Sequence, residues 1–294
     1  MRIVLLGPNG QLGFELKRAF APMATVLAFG RESVDLSDAD GLAQAIRSAE
    51  PQVILNAAAY TQVDRAEDEP ERAALINHHA LRVIGETAAS CNSLVVHFST
   101  DYVFAGGLHR PYLEDDPIGA QTVYGRTKAA GEAALRESNA SHLIFRTAWV
   151  NAARGHNFVR TMLALAPKRQ ELRIVNDQVG SPTPARWLAA ATSLAVMRWQ
   201  SAPLRRQLEG TYHLSAAGQV SWFEFAQAIF ARSLARGLLT EIPKLIAISS
   251  AEHAAKAARP LYSVLDNQRF KRTFHLSLPD WGVGLEELLE ELTP

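Results

Sequence analysis

The chain has 294 residues, 48% of them hydrophobic, and its 30 Lys and Arg balance 30 Asp and Glu. A protein of that size and composition buries one large core or two smaller ones, and zero net charge argues against a nucleic-acid partner. One cysteine, Cys91, excludes an internal disulfide or a multi-cysteine metal site, and no run is long enough to span a membrane or form a signal-peptide core, so a cytoplasmic protein is expected.

"RIVLL" (2–6) is a short apolar strand ending at Gly7, and "QLGFELKRAF" follows with Leu12, Leu16 and Ala19 or Phe20 on one helical face. "TVLAF" (25–29) is a second strand. "SDADGLAQAIRSAE" (37–50) is a helix capped by Ser37 or Asp38. "QVILNAAA" (52–59) is a third strand, and 68–90 reads as one long helix with Pro70 near its first turn. Strands at 94–100 and 142–150 flank a helix carrying Tyr124. Each strand is nearly all apolar, as expected where helices cover both sheet faces. Strict strand–helix alternation over 150 residues predicts an α/β protein, a Rossmann-like doubly wound parallel sheet.

Past residue 150 the pattern loosens. Helices are expected over "GHNFVRTMLALAP", "TPARWLAAATSLAVMRW", "SWFEFAQAIFARSLA" (221–235) and "GLEELLEEL", with a short strand at 210–215. Ser221 and Glu224 make a capping box. Residues 1–150, joined by part of 151–200, are expected to bind a dinucleotide. Residues 151–294 are expected to form mainly a smaller, interleaved substrate-binding domain that closes the cleft.

Gly7, Gly10 and Gly13 form G-x-x-G-x-x-G at the first strand-to-helix junction, bracketing Gln11 and Leu12. The first glycine permits a tight turn, the second lets backbone approach pyrophosphate, and the third allows close helix packing. The helix start then offers free N–H groups to phosphate. The pattern points to a nicotinamide dinucleotide. After the second strand, Gly30 precedes Arg31 and Glu32. Arginine's planar fork suits a 2′-phosphate, which favours NADPH with NADH open, and Asp35 and Leu36 are expected under the adenine.

"VYGRTKAAGE" places Tyr124 and Lys128 one helical turn apart on the same face. Together with "GPNGQLG", "VDLSD", "NAAAYTQVDRAE", "FSTDYVFAG", "FRTAWV", "NDQVGSPTPA" and "ARPLYSVLDN", this segment resembles the extended short-chain dehydrogenase/reductases, and among them the dTDP-4-dehydrorhamnose reductase family, essentially end to end. The resemblance implies reduction of a dTDP-linked 4-keto sugar, with Tyr124 as proton donor. It implies that Lys128 supports the phenol and binds the nicotinamide ribose. A cation one turn away is expected to lower the phenol's pKa from its usual value near 10.

Thr100 matches the third catalytic member, bonding the substrate oxygen. The related dehydratases carry two acids after this threonine, whereas here Asp101 is followed by Tyr102, which favours simple ketone reduction. Trp149 matches a residue that stacks on the sugar. Ala59, Tyr60 and Thr61 match cofactor neighbours, and Asn77 a residue that steadies the active-site backbone. Gln178, Arg259 and Ser263 fall in segments that meet the nucleotide. Adjacent His78 and His79 cannot share a helix face and read as surface or packing residues. Some relatives hold magnesium at a dimer contact through three glutamates. Glu15 and Glu291 match two of them, but Arg186 stands at the third, which argues against a magnesium-held dimer and leaves a monomer or a homodimer with an Arg–Glu contact. Two rivals stay open: a reductase of another nucleotide-linked 4-keto sugar, and a non-catalytic subunit similar to the regulatory subunit of methionine adenosyltransferase.

Overall fold

The computed structural model describes residues 1–293. Six parallel strands form the central sheet: β1 (Arg2–Leu6), β2 (Thr25–Phe29), β3 (Val53–Asn56), β4 (Leu94–Thr100), β5 (His142–Thr147) and β6 (Gly210–His213). Their order is β6-β5-β4-β3-β1-β2. The chain thus lays β2 on one side of β1, then returns to put β3 on the other, with Ile3 beside Val53 and Leu6 beside Asn56. Crossover directions reverse between β1 and β3, and at such a switch point a crevice opens outside the strand carboxyl ends.

Alternate side chains of each strand point to opposite faces. Ile3, Leu5, Leu55, Val96 and Phe145 face α1 (Gln11–Phe20), while Val4, Leu6, Ile54, Val95 and Ile144 face α2 (Ala39–Ala49) and α3 (Ala80–Cys91). Every one of these strand residues is buried, which explains the unbroken apolar runs. Full burial of each such side chain stabilises the fold by about 1.5–3 kcal/mol.

α4 (Val123–Glu137) lies between β4 and β5 in sequence and packs on α3. Thr122 caps it by accepting from Gly125 N–H at 3.0 Å. Later segments return to the first layer. α5 (Phe158–Leu165) leads away from the sheet, but α6 (Ala185–Ser201) packs on α1, and β6 pairs with β5. A separate core of Val159, Met162, Phe225, Ile229, Phe230 and Leu289 joins α5, α7 (Trp222–Ala235) and α8 (Trp281–Leu292). The Ser221–Glu224 capping box is present.

Three expected elements differ. The strand expected to run to residue 150 stops at Thr147, and Trp149 takes a left-handed backbone, φ +46°, so Val150–Asn151 pairs separately with Thr183–Pro184. The third strand ends at Asn56. The long helix is interrupted: a π-turn, Leu75–His79, separates Pro70–Ala74 from α3. Such insertions re-aim side chains and gather at functional sites.

α4 is tied to β5 by a buried ion pair. Arg146 donates from Nε to Glu132 Oε1 at 2.9 Å and from Nη2 to Oε2 at 2.7 Å, and Glu132 is 0% exposed. Burial pushes the Glu132 carboxyl up, but its bonds with Arg146 outweigh this and hold it below 4.5. A carboxyl depressed on folding adds stability above its unfolded pKa and loses it as pH falls through the folded value. Glu132→Gln strands the Arg146 charge and is expected to lower unfolding free energy at pH 7 by about 3–5 kcal/mol. Urea unfolding should show that gap narrowing as pH falls below 4.5.

Candidate active site

A cleft of about 600 Å³ opens at the β1/β3 switch point. Gly7 leaves β1 at φ +77°, and a Cβ there would lie 2.9 Å from Ala58 beyond β3. Gly13 does not line the cleft. It lets α1 sit on the loop, since a Cβ would come within 2.0 Å of the Gly7 carbonyl oxygen. Gly10 occupies the N-cap of α1 and supplies no side-chain cap, so first-turn N–H groups stay available at the cleft floor beside Gln11 and Leu12.

Arg31, Asp35 and Leu36 line the β2 end of the cleft, and Ala59, Tyr60 and Thr61 line the β3 end. Asp35 is turned to its own loop: its Oδ1 accepts from Ser37 N–H at 2.9 Å and from Ser37 Oγ at 2.8 Å, and these bonds hold its carboxyl below the usual range. Two arginines that the sequence reading did not single out, Arg65 and Arg72, reach the same cleft. Glu69 orients both, at 2.6 Å and 3.3 Å, and also accepts from the Tyr60 hydroxyl at 2.9 Å. Their only sequence signal was a pair of arginines just after the third strand.

The π-turn places Asn77 as expected for a backbone-steadying residue. Tyr60 N–H donates to Asn77 Oδ1 at 2.9 Å, and Asn77 Nδ2 donates to Tyr60 O and to Thr127 Oγ1, both at 3.1 Å. One side chain thereby locks the loop after β3 to α4. Without the inserted residue, a regular helix would present a different face there.

Tyr124 and Lys128 both line the cleft from α4. Lys128 is 1% exposed, and its Nζ donates to Phe98 O at 2.6 Å and meets His97 Nε2 at 2.9 Å. The expectation that Lys128 lowers the phenol's pKa is not met in this arrangement. Burial pushes Tyr124 up to about 12 against a hydrogen bond with Thr100, and burial pulls Lys128 down to about 7. Spacing alone gave the shared face but not the desolvation that governs both groups.

Thr100 and Asp101 sit behind the cleft wall at the end of β4. Thr100 Oγ1 donates to Asp101 Oδ1 at 2.9 Å and accepts from Tyr102 N–H at 3.2 Å. Burial pushes the Asp101 carboxyl up to about 6, opposed by the neighbouring Ser263 and Thr100 hydroxyls. Tyr102 packs edge-on to Tyr124 with ring centres 5.8 Å apart. Trp149 does not line the cleft; it stacks flat on Trp222, with ring centres 3.4 Å apart. Arg259 pairs with Asp64, and Gln178 Nε2 donates to Ser250 Oγ at 2.8 Å.

The Arg–Glu contact expected between subunits forms within one chain, Arg186 Nη1 donating to Glu291 Oε1 at 2.7 Å. Glu15 pairs with Arg18 at 3.3 Å. His78 and His79 stack on one another, with ring centres 4.6 Å apart. Among the described residues no helix is long and apolar enough to cross a membrane.

A family model described as the RmlD substrate binding domain matches residues 1–293. The chain is 44% identical to dTDP-4-dehydrorhamnose reductase of Escherichia coli K12 over 296 residues, covering 99% of this chain and 98% of that protein. Among solved structures it is similar to dTDP-4-dehydrorhamnose reductase of Bacillus anthracis in complex with NADP, at 33% identity and TM-score 0.89 over 99% of each chain. A dTDP-4-dehydrorhamnose reductase of Clostridium acetobutylicum is 31% identical with TM-score 0.91, covering 100% of each chain.

Proposed function

The chain belongs to the RmlD substrate-binding-domain family, and from that premise we propose that it reduces the 4-keto group of dTDP-4-dehydro-L-rhamnose to give dTDP-L-rhamnose. The observation that carries this reading is the convergence of Tyr124, Lys128 and the glycine loop on one cleft at the switch point. The cleft fits a nicotinamide dinucleotide. The uncapped start of α1 suits pyrophosphate, and the positive φ of Gly7 brings backbone close to it.

When bound, the dinucleotide supplies the hydride. The chain's residues handle the proton and the charge. Tyr124 donates its phenolic proton to the C4 oxygen. With its pKa near 12, the phenol is fully protonated at neutral pH and available as an acid. Lys128, in its charged form, is assigned to offset part of the cost that burial sets on the phenolate left behind, without reversing the net rise. Thr100, its hydroxyl held by Asp101, is assigned to orient the phenol from the end of β4. In a site this buried, such charge stabilisation is far stronger than in water.

NADPH is the preferred dinucleotide on this reading. Arg31, Arg65 and Arg72 line the cleft where a 2′-phosphate is assigned; of the nearby acids, Asp35 is committed to Ser37 and Glu69 to Arg65 and Arg72. The sugar is assigned to the end of the cleft at Tyr124 and Val150, next in the chain to Trp149. With Glu291 held by Arg186 and Glu15 by Arg18, no role is assigned to magnesium, and the active unit is read as a monomer.

Both assignments are testable with dTDP-4-dehydrorhamnose made in place by its preceding enzymes. Tyr124→Phe is expected to lower kcat about 10²–10⁴-fold while dinucleotide binding persists. A variant with wild-type turnover would remove Tyr124 as the acid. Arg31→Ala is expected to raise KM for NADPH about tenfold, as loss of one charged phosphate contact implies, and to leave KM for NADH unchanged. Equal effects on both would contradict the phosphate assignment.

A further inference from the structure

Lys128 meets a side chain that the reaction does not itself use. His97, on β4, is 1% exposed, and its two ring nitrogens face two different partners. Nε2 lies 2.9 Å from Lys128 Nζ, and Nδ1 lies 3.2 Å from Asn56 Nδ2 on β3. The direction of the Asn56 amide is fixed independently, because Ala58 N–H donates to its Oδ1 at 3.2 Å. The NH₂ group is therefore the one presented to the ring, and Nδ1 must accept. A neutral imidazole has one N–H and one lone pair, so its proton sits on Nε2, facing Lys128. A charged ring would oppose N–H groups on both sides, and burial, then the Lys128 charge, holds His97 well below its usual range.

An ammonium has three donors and no lone pair, so it cannot accept from Nε2–H. A neutral amine accepts from Nε2–H and still donates to Phe98 O at 2.6 Å. We propose that His97 is a positioning residue for Lys128: the chain of bonds from Ala58 through Asn56 to His97 selects the ring tautomer that holds Lys128 as a neutral amine under the cleft. Lys128 then titrates near neutrality, in keeping with the fall to about 7 that burial imposes against the opposing charge of Glu132. The other titratable or charged groups around the pair are Tyr124 and Glu132 on α4 and Arg146 on β5, bound to Glu132. β3 contributes only the uncharged Asn56.

The consequence for turnover rests on the reductase reading, whereas the tautomer does not. Reduction needs the charged lysine beside the nascent phenolate, so activity should fall as pH rises through the Lys128 pKa. Asn56→Asp reverses the chain. A carboxylate accepts both Ala58 N–H and Nδ1–H, Nε2 becomes an acceptor, and the ammonium is favoured.

The first readout is the imidazole ¹⁵N spectrum of the full-length protein labelled in its nine histidines. Wild type should show His97 protonated on Nε2 and bare on Nδ1, and Asn56→Asp the opposite. His97 assigned in the wild type by loss of its signals in His97→Gln makes the result independent of whether Asn56→Asp folds. The second readout is the pH profile of kcat, whose basic limb should move up by about 1–3 units in Asn56→Asp. A wild-type His97 protonated on Nδ1, or a basic limb that does not move in a folded variant whose tautomer has flipped, overturns the proposal. The predicted tautomer in an enzyme that does not turn over would leave this inference standing and remove the reductase reading instead.

Discussion

Burying the amine of Lys128 under an open cleft is the constraint around which the rest of the site is arranged. A buried amine needs partners for its polar head, and it finds them on β4, in the Phe98 carbonyl and the His97 ring. That requirement fixes how α4 sits on the sheet. Glu132, one turn further along the same helix, bonds Arg146 on β5, so two consecutive turns of α4 are pinned to neighbouring strands. Tyr124, one turn the other way, is thereby brought to the cleft. The phenol is held by the packing of the lysine as much as by its own contacts.

The sheet supplies the second half of the arrangement. Reversal of the crossovers between β1 and β3 opens the crevice, and glycines at 7 and 13 bring loop, helix and β3 closer than any side chain would allow. Asn77 joins the two halves. It bonds the loop after β3 on one side and Thr127 on α4 on the other, so these two walls of the cleft are tied to each other. A regular helix cannot place it there, which gives the π-turn a physical reason.

Much of this was legible in the sequence because the signals were local. Continuous apolar runs marked the first five strands, with the third and fifth running on too far. The glycine spacing marked the tight turn at the cleft floor, and the Tyr124–Lys128 interval marked a shared helix face. What escaped the reading was non-local or depended on burial. Helical periodicity runs straight through residues 68–90, so nothing announced the inserted turn. Arg65 and Arg72 acquire meaning only once Glu69 aims them at the cleft. The Trp149–Trp222 stack joins the segment after β5 to α7, far apart in sequence. The direction of the Tyr124 shift failed for the same reason, since a four-residue interval carries no information on desolvation.

The central claim is that this cleft delivers hydride to C4 of a nucleotide-linked keto sugar while Tyr124 supplies the proton. The most direct measurement uses NADPH carrying deuterium at the transferable position of the nicotinamide, with dTDP-4-dehydrorhamnose as acceptor in ordinary water. The account predicts dTDP-L-rhamnose with one deuterium on sugar C4 and none on oxygen. Product without deuterium at C4, or oxidation of the dinucleotide with the sugar unchanged, would contradict it.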